Sequence, residues 1–437
     1  LVAMPPNTET ESNSEDRAKW GNSIEFLMSC IAMNVGLGNI WRFPFVAYEN
    51  GGGAFLIPYI SVLILLGRPM YYLEMCLGQF SSRGNVKMRG IRTAHRYIFC
   101  GYILLFTNGT HVLLFNPFFY CRFALVSISV TLEGAGTGIL YFVTPDWDKL
   151  LSAKVWYSAV TQCFFSLNIG FGSVTMYASY NNFYHNVYRD AMVVTTLDTF
   201  TSFLSGLIIF GILGNLAYKM DVEVSDVVKS GGTGLAFISY PEAIARFEMV
   251  PWLFAILFFF MLFVLGAGSL VALQGCAFTV IMDAFPHLKI WQVSLSTAIV
   301  GFIIGLVYIT PGGQYIFTMV DFFGGTFIFY VLTIVEVFSI MWWYGLENIC
   351  LDIEFMLKKK PGIYWRICWS VIIPIVLVTV FVYFLVTLEE LTYEDKQYPK
   401  NIIVWGWLLF GVGIMQPVIW WIVQILQNFR KESFTKN

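Results

Sequence analysis

Asn34, Gly36, Gly38 and Asn39 stand within six residues of one another in the run Ile31-Ala32-Met33-Asn34-Val35-Gly36-Leu37-Gly38-Asn39-Ile40-Trp41-Arg42-Phe43-Pro44. Each weakens a helical ladder, glycine by about 1 kcal/mol against alanine. The surrounding apolar segment, roughly residues 24 to 48, is long enough to cross a bilayer. Backbone groups freed from the ladder cannot face lipid, so they must line a site. Unwound carbonyls and an amide oxygen are hard ligands for a small cation, and a half-helix N-terminus beside them attracts an anion. The competing reading is a kinked or closely packed helix, because glycine also serves packing in membrane spans. A second interruption, Asn168-Ile169-Gly170-Phe171-Gly172, falls inside another apolar segment from about Val155 to Tyr180. Two spans broken by Gly and Asn in different parts of a chain point to a transporter site at a repeat interface.

The elements that must position these breaks are helices in a bilayer. Of the 437 residues 57% are hydrophobic and only 12% charged, half the share of about 25% usual in soluble domains. The formal net charge of −2 leaves no basic face for nucleic acid. A polar, acidic lead over 1–19 reads as a disordered cytoplasmic N-terminus. Residues 20–87 hold the first two spans, including the broken one, with the glycine turn Gly51-Gly52-Gly53 between them. The basic stretch Arg83, Lys87, Arg89, Arg92, Arg96 is cytoplasmic by the positive-inside rule, as is the loop with Lys358, Lys359, Lys360 and Arg366. Residues 88–128 are atypical, with room for one crossing near 116–142. Over 129–430 the remaining spans are expected at about 155–180, 190–218, 252–285, 290–309, 324–344, 364–388 and 402–426, and 431–437 form a cytoplasmic tail. The expectation is an all-α polytopic membrane protein of about ten transmembrane helices.

The runs NVGLGNIWRFP with ENGGGAFLIPY, and FFSLNIGFG with YASY, resemble the neurotransmitter:sodium symporters, and within them the insect-type sodium-coupled nutrient amino acid transporters. The resemblance covers residues 17 to about 87 and about 128 to 430. It implies a LeuT-like inverted-repeat transporter fold with an incomplete first repeat, apparently lacking the third and fourth spans. Carried over residue by residue, it implies a first sodium site made by Asn39, the carbonyl of Asn34, Ser166 and Asp198. It implies a second made by the carbonyls of Ala32, Val35 and Leu265 with Ser269, where Gly268 replaces a side-chain ligand that many members carry. The substrate pocket implied is Gly36, Leu37, Gly38, Phe165, Ser166, Asn168, Phe171 and Leu273. Glycine at 36, where monoamine carriers place an aspartate, fits a substrate that brings its own carboxylate to the sodium ion. Arg42 and Asp321 match the outer gate, and Arg17, Trp20, Tyr180 and Asp283 the inner one. Tyr59, Gln162, Ser166 and Ser202 match chloride positions, although Asp198 sits where chloride-binding members have asparagine and its charge would oppose an anion. Glu74 and Glu336 match positions that brace the scaffold.

The reading is a sodium-coupled symporter of neutral amino acids in the plasma membrane, working by alternating access. Its partners are a small amino acid, the bilayer and, open at this point, a second copy or a related chain. The alternative is a truncated, non-transporting family member that associates with full-length transporters. An enzyme is disfavoured, because the four histidines and eight cysteines form no ligand spacing or catalytic constellation.

Overall fold

A computed structural model describes residues 19–81, 126–127, 129–224, 241, 251–285, 287–387, 392–393 and 396–435. The first broken span is two helices, α1 (Ser23–Asn34) and α2 (Gly38–Glu49), which meet at a bend of 47°. Asn22 starts α1 by accepting a hydrogen bond from the Glu25 amide at 2.8 Å, and the Glu25 carboxylate accepts one from Gly21 N at 2.9 Å. The helix stops where the sequence weakens it: the ladder passes to short local bonds, Gly36 N to Asn34 O at 2.8 Å and Asn39 N to Gly36 O at 3.3 Å. The outer half opens on a π-helical turn, Gly38–Arg42.

Next come α3 (Gly53–Ser81), α4 (Ala135–Val143), α5 (Ala153–Ser166) and α6 (Ser173–Ala178). Between α5 and α6 the chain unwinds through left-handed residues, Asn168 at φ 50°, Gly170 at φ 79° and Gly172 at φ 76°. Then come α7 (Val187–Met220), α8 (Pro251–Ala284), α9 (Ile290–Tyr308), α10 (Gly313–Leu357, turning at Gly345), α11 (Ile363–Val386) and α12 (Lys400–Thr435). A small departure from the all-α expectation is the antiparallel pair Thr392–Tyr393 with Lys396–Gln397. Another is the start of α10: Gly324 and Gly325 do not end the helix but sit within a π-helical stretch, Asp321–Phe327, so it begins at Gly313.

Six helices among the described residues are long and apolar enough to cross a membrane, seven with the bent α1–α2 pair. The other three expected spans are the broken α5–α6, whose halves are each short, the crossing near 116–142, of which 116–125 and 128 lie outside the described residues and α4 is the short described helix, and α12, whose side chains are described only over 400–416 and at 419.

The buried core gathers α1 to α3 and α5 to α7 around the two breaks. Within the most apolar stretch of α7, 78% is buried, against 17% for α9, so α7 is a central pillar and α9 a lipid-facing flank. α4 lies so close to α7 that a Cβ on Gly138 would fall 1.8 Å from the Phe210 carbonyl, and only glycine admits that backbone approach.

Contacts between loops fix which ends share a side. Gly52 bridges Pro145, which places the glycine turn and the loop before α5 at one end and requires an odd number of crossings between them after α3. At the other end Trp20 N donates to Tyr180 O at 3.1 Å, and Lys358 lies over the Tyr184 ring at 5.2 Å. With the basic loops cytoplasmic, cysteine replacing Ser230 is expected to react with an impermeant thiol reagent on intact cells, and cysteine replacing Lys359 is not. Reaction at 359 above the background of the unsubstituted chain would reverse the orientation.

Candidate ion and substrate site

The centre of the site is a fully buried carboxylate. Asp198, 0% exposed in the middle of α7, accepts from Asn39 Nδ2 at 2.7 Å and from Ser166 Oγ at 2.9 Å to each carboxylate oxygen. Asn39 comes from the break after α1 and Ser166 is the last residue of α5, so Asp198 ties both breaks to the central pillar. Thr201, one turn along α7, completes the cage: its hydroxyl donates to Asp198 O at 2.8 Å and accepts from Asn39 Nδ2 at 3.2 Å. Ser166 Oγ also lies 3.1 Å from Asn39 Oδ1. An ionised aspartate at mid-membrane costs about 2.5 to 3.5 kcal/mol on insertion scales, and charge-assisted hydrogen bonds of about 1.5 to 3 kcal/mol each offset that. The donor nearest the carboxylate is the Asn39 amide, at 2.7 Å.

A second cluster joins the first break to α8. Ser269 Oγ donates to the Met33 carbonyl at 3.2 Å, beside Val35, and Leu265 is buried one turn earlier on the same helix. This contact gives Gly36 a reason of its own: an added Cβ would sit 2.6 Å from Ser269 Oγ. Gly36→Ala is therefore expected to push the Ser269 hydroxyl off the Met33 carbonyl, at an overpacking cost of about 1 to 3 kcal/mol. The readouts are a lower melting temperature and a higher sodium requirement for substrate binding, partly relieved in Gly36→Ala with Ser269→Ala. An unchanged melt would refute the steric account.

Between the clusters, Gly38 has open space where a Cβ would be, with no atom within 4 Å. Phe165 and Phe171, half-buried on either side of the second break, meet Phe329 of α10 with ring centroids 5.7 and 4.8 Å away. Leu37 lies beside α8, 3.5 Å from where a Cβ on Gly266 would be, and Leu273 is half-buried one turn beyond Ser269. Asn168 reaches across from the second break: its Nδ2 donates to Met33 O at 3.2 Å and to Asn34 Oδ1 at 3.3 Å. Asn34 Nδ2 in turn donates to the Tyr71 hydroxyl at 2.9 Å. The second break is braced from beneath, Gly170 N donating to Glu74 Oε1 at 2.6 Å.

The gate residues divide. Trp20 is packed at its end of the bundle, with its indole N–H donating to Tyr177 O at 2.9 Å and its ring edge-on to Tyr180. Arg17 lies outside the described residues, and of Asp283 only the backbone is described. At the other end the Arg42 guanidinium stands 4.3 Å over the Phe165 ring, and the Asp321 carboxylate is near enough to act on its charge without a direct ion pair. Of the four anion positions, Tyr59 OH, Gln162 Oε1 and Ser202 Oγ are buried with no hydrogen-bond partner among the described residues, while Ser166 is committed to Asp198. The orphaned hydroxyls suit an anion; the carboxylate beside them opposes one.

Thr201, Tyr71 and Phe329 contact the expected site residues Asn39, Asn34, Phe165 and Phe171, and sequence reasoning did not name them. Thr201 carried a signal, three residues after Asp198 on the same helix face. Tyr71 lies within the wholly buried run 69–79, where no periodicity marks one side chain from the next.

The sequence matches the pattern of the sodium:neurotransmitter symporter family over residues 17–116 and 104–428, two stretches that overlap inside the atypical segment. Curated relatives named sodium-dependent nutrient amino acid transporter 1 include one from Drosophila persimilis, 42% identical over 98% of this chain and 84% of its own length. Those from Drosophila virilis and Drosophila melanogaster are 42% and 41% identical, over 98% and 94% of this chain and 86% and 84% of their own lengths. The first alignment spans 551 positions against 437 residues, so at least 114 positions of that relative face no residue here. With both breaks, the caged Asp198 and a family match over nearly the whole chain in hand, the protein belongs to the sodium:neurotransmitter symporter family.

Proposed function

We propose that the site is that of a plasma-membrane, sodium-coupled symporter of neutral amino acids working by alternating access. The observation that carries this reading is the Asp198 cage: a buried carboxylate, an amide and two hydroxyls drawn from both broken spans and from α7. A sodium ion entering the cage exchanges the Asn39 donor for oxygen ligands, with the Asn34 carbonyl beside them. The substrate carboxylate then completes the shell, so each raises the affinity of the other, and by linkage the effect is reciprocal. Neutral specificity is supported by the absence of a charged side chain at Gly36 and by the Phe165, Phe171 and Phe329 surround. Alternating access is supported by the asymmetry of the ends, packed around Trp20 but without direct pairing of Arg42 to Asp321. The test is sodium-driven uptake of labelled neutral amino acids into cells expressing this chain. Substrate binding that is indifferent to sodium would refute the coupling.

The alignment gap of at least 114 positions favours a second reading. In it the chain binds ion and substrate but transports poorly, and associates with full-length relatives or a second copy of itself. Co-purification with a tagged full-length relative, without uptake by the chain alone, separates the two.

A further inference from the structure

α3 holds both broken spans from one of its faces. Tyr71 and Glu74, three residues apart and fully buried, lie one above the other on that helix. Glu74 takes the second break through Gly170 N, and Tyr71 takes the first through Asn34 Nδ2 at 2.9 Å. An amide side chain has a donor end and an acceptor end. The Tyr71 oxygen engages the donor end of Asn34, so Asn34 turns its Oδ1 to Asn168, whose Nδ2 lies 3.3 Å away. The same nitrogen also donates to the Met33 carbonyl at 3.2 Å. Asn168 Oδ1 is thereby turned away from the first break, and among the described residues nothing donates to it. Asn34 is 2% exposed, so water cannot replace its partners, whereas Asn168 is half-buried. The Tyr71 hydroxyl lies against the thiol of Cys30, one turn before Asn34 on α1, which can take its proton and leave its oxygen as the acceptor.

We propose that Tyr71 is a positioning residue for substrate recognition: acting through Asn34, it holds the Asn168 amide with its oxygen free for an N–H donor of the substrate. Tyr71 itself touches no substrate. The proposal rests on the amino acid reading above, since it needs a ligand with a donor beside its carboxylate. Without the Tyr71 oxygen, the buried Asn34 nitrogen gains a partner only by turning onto Asn168, where it competes with the Met33 carbonyl for the orientation of one amide. The end of Asn168 left to the substrate is then no longer fixed.

The experiment measures binding to the purified full chain at saturating sodium, with labelled leucine and with unlabelled 4-methylpentanoate, the same skeleton without the ammonium, as competitor. Tyr71→Phe keeps the ring and its packing. It is expected to weaken leucine binding by about three- to tenfold, the range of one hydrogen bond, and to leave 4-methylpentanoate unchanged within about twofold. A double-mutant cycle with Asn168→Gly, which removes the amide and accepts the left-handed φ of 50° without strain, gives a second measurement. In that background the loss from Tyr71→Phe is expected to shrink below about twofold, because the group it acts through is gone. If melting curves show that Tyr71→Phe does not fold, Asn34→Ala cuts the same relay and is expected to separate the two ligands in the same way. Equal weakening of both ligands, equal loss with and without the Asn168 amide, or no loss at all would overturn the proposal and leave Tyr71 a packing residue. A parent chain that binds no leucine in sodium would overturn the amino acid reading and this proposal together, so the two failures are distinct.

Discussion

Asp198→Ala is expected to abolish sodium-dependent substrate binding and uptake, and Asp198→Asn to keep the fold while changing cation affinity or selectivity. The carboxylate receives Asn39 Nδ2 at 2.7 Å and Ser166 Oγ at 2.9 Å, and both partners are fully or almost fully buried. Alanine removes the carboxylate and forfeits charge-assisted hydrogen bonds of about 1.5 to 3 kcal/mol each. It leaves Asn39 Nδ2 only its longer bonds to Thr201 Oγ1 at 3.2 Å and the backbone carbonyl of residue 198 at 3.3 Å, and Ser166 Oγ only Asn39 Oδ1 at 3.1 Å. Asparagine keeps the shape and one acceptor but loses the charge, which is the largest favourable term toward a cation in a water-poor site. A shift of at least about tenfold in the sodium concentration for half-maximal binding is the magnitude expected from one charge-assisted bond. The measurement is a sodium titration of labelled amino acid binding, with potassium and lithium in parallel, and a melting curve for each variant. If both variants keep the sodium dependence of the parent, Asp198 is not an ion ligand.

Uptake by the chain as it stands is expected to be weak, and insertion of family-type third and fourth spans between Lys87 and Val130 is expected to raise it by at least tenfold. α8 supplies Leu265, Ser269 and Leu273, yet its most apolar stretch is only 39% buried, and Phe259, Phe260 and Phe263 along it are 45%, 50% and 73% exposed. Compare α7, equally central to the site and 78% buried over the same length of window. On the reading that this chain lacks two family spans, the flank of α8 is where their wall, and the donors that would hold a substrate carboxylate, are expected to stand. Each missing charge-assisted bond forfeits about 1.5 to 3 kcal/mol, so two of them lower affinity by more than a hundredfold. Sodium-driven uptake is compared in the parent, in the restored chain, and in the restored chain carrying Asp198→Ala. Robust uptake by the unmodified parent would refute the reading that the chain is impaired by the loss of two spans. Restored activity that survives Asp198→Ala would instead overturn the ion site.

Much of this molecule follows from local physics. Glycine and asparagine weaken the ladder where they stand, so the breaks after Asn34 and Ser166 were legible, while the left-handed turn through Asn168 and Gly170 is known from the structure. Bilayer thickness sets the length of apolar runs, so helix ends such as Ile290–Tyr308 and Ile363–Val386 lie within a residue or two of their expectation. The family and the residue types of its site came with the two motifs, because each is long enough to be specific. The tertiary structure decided what those residues touch. Asn39 turns its amide nitrogen, not its oxygen, onto Asp198, 159 residues away, and Thr201 joins them. Gly36 is held small by Ser269 as well as by any substrate, and Arg42 lies on Phe165 without reaching Asp321. None of these could be read from the chain, since a contact between residues more than a hundred positions apart depends on helix crossing and rotamer and leaves no periodic trace in sequence. Propensity and hydropathy act over a few neighbours or a bilayer's width, whereas the direction of a buried side chain is settled by whichever partner the packed helices bring within reach.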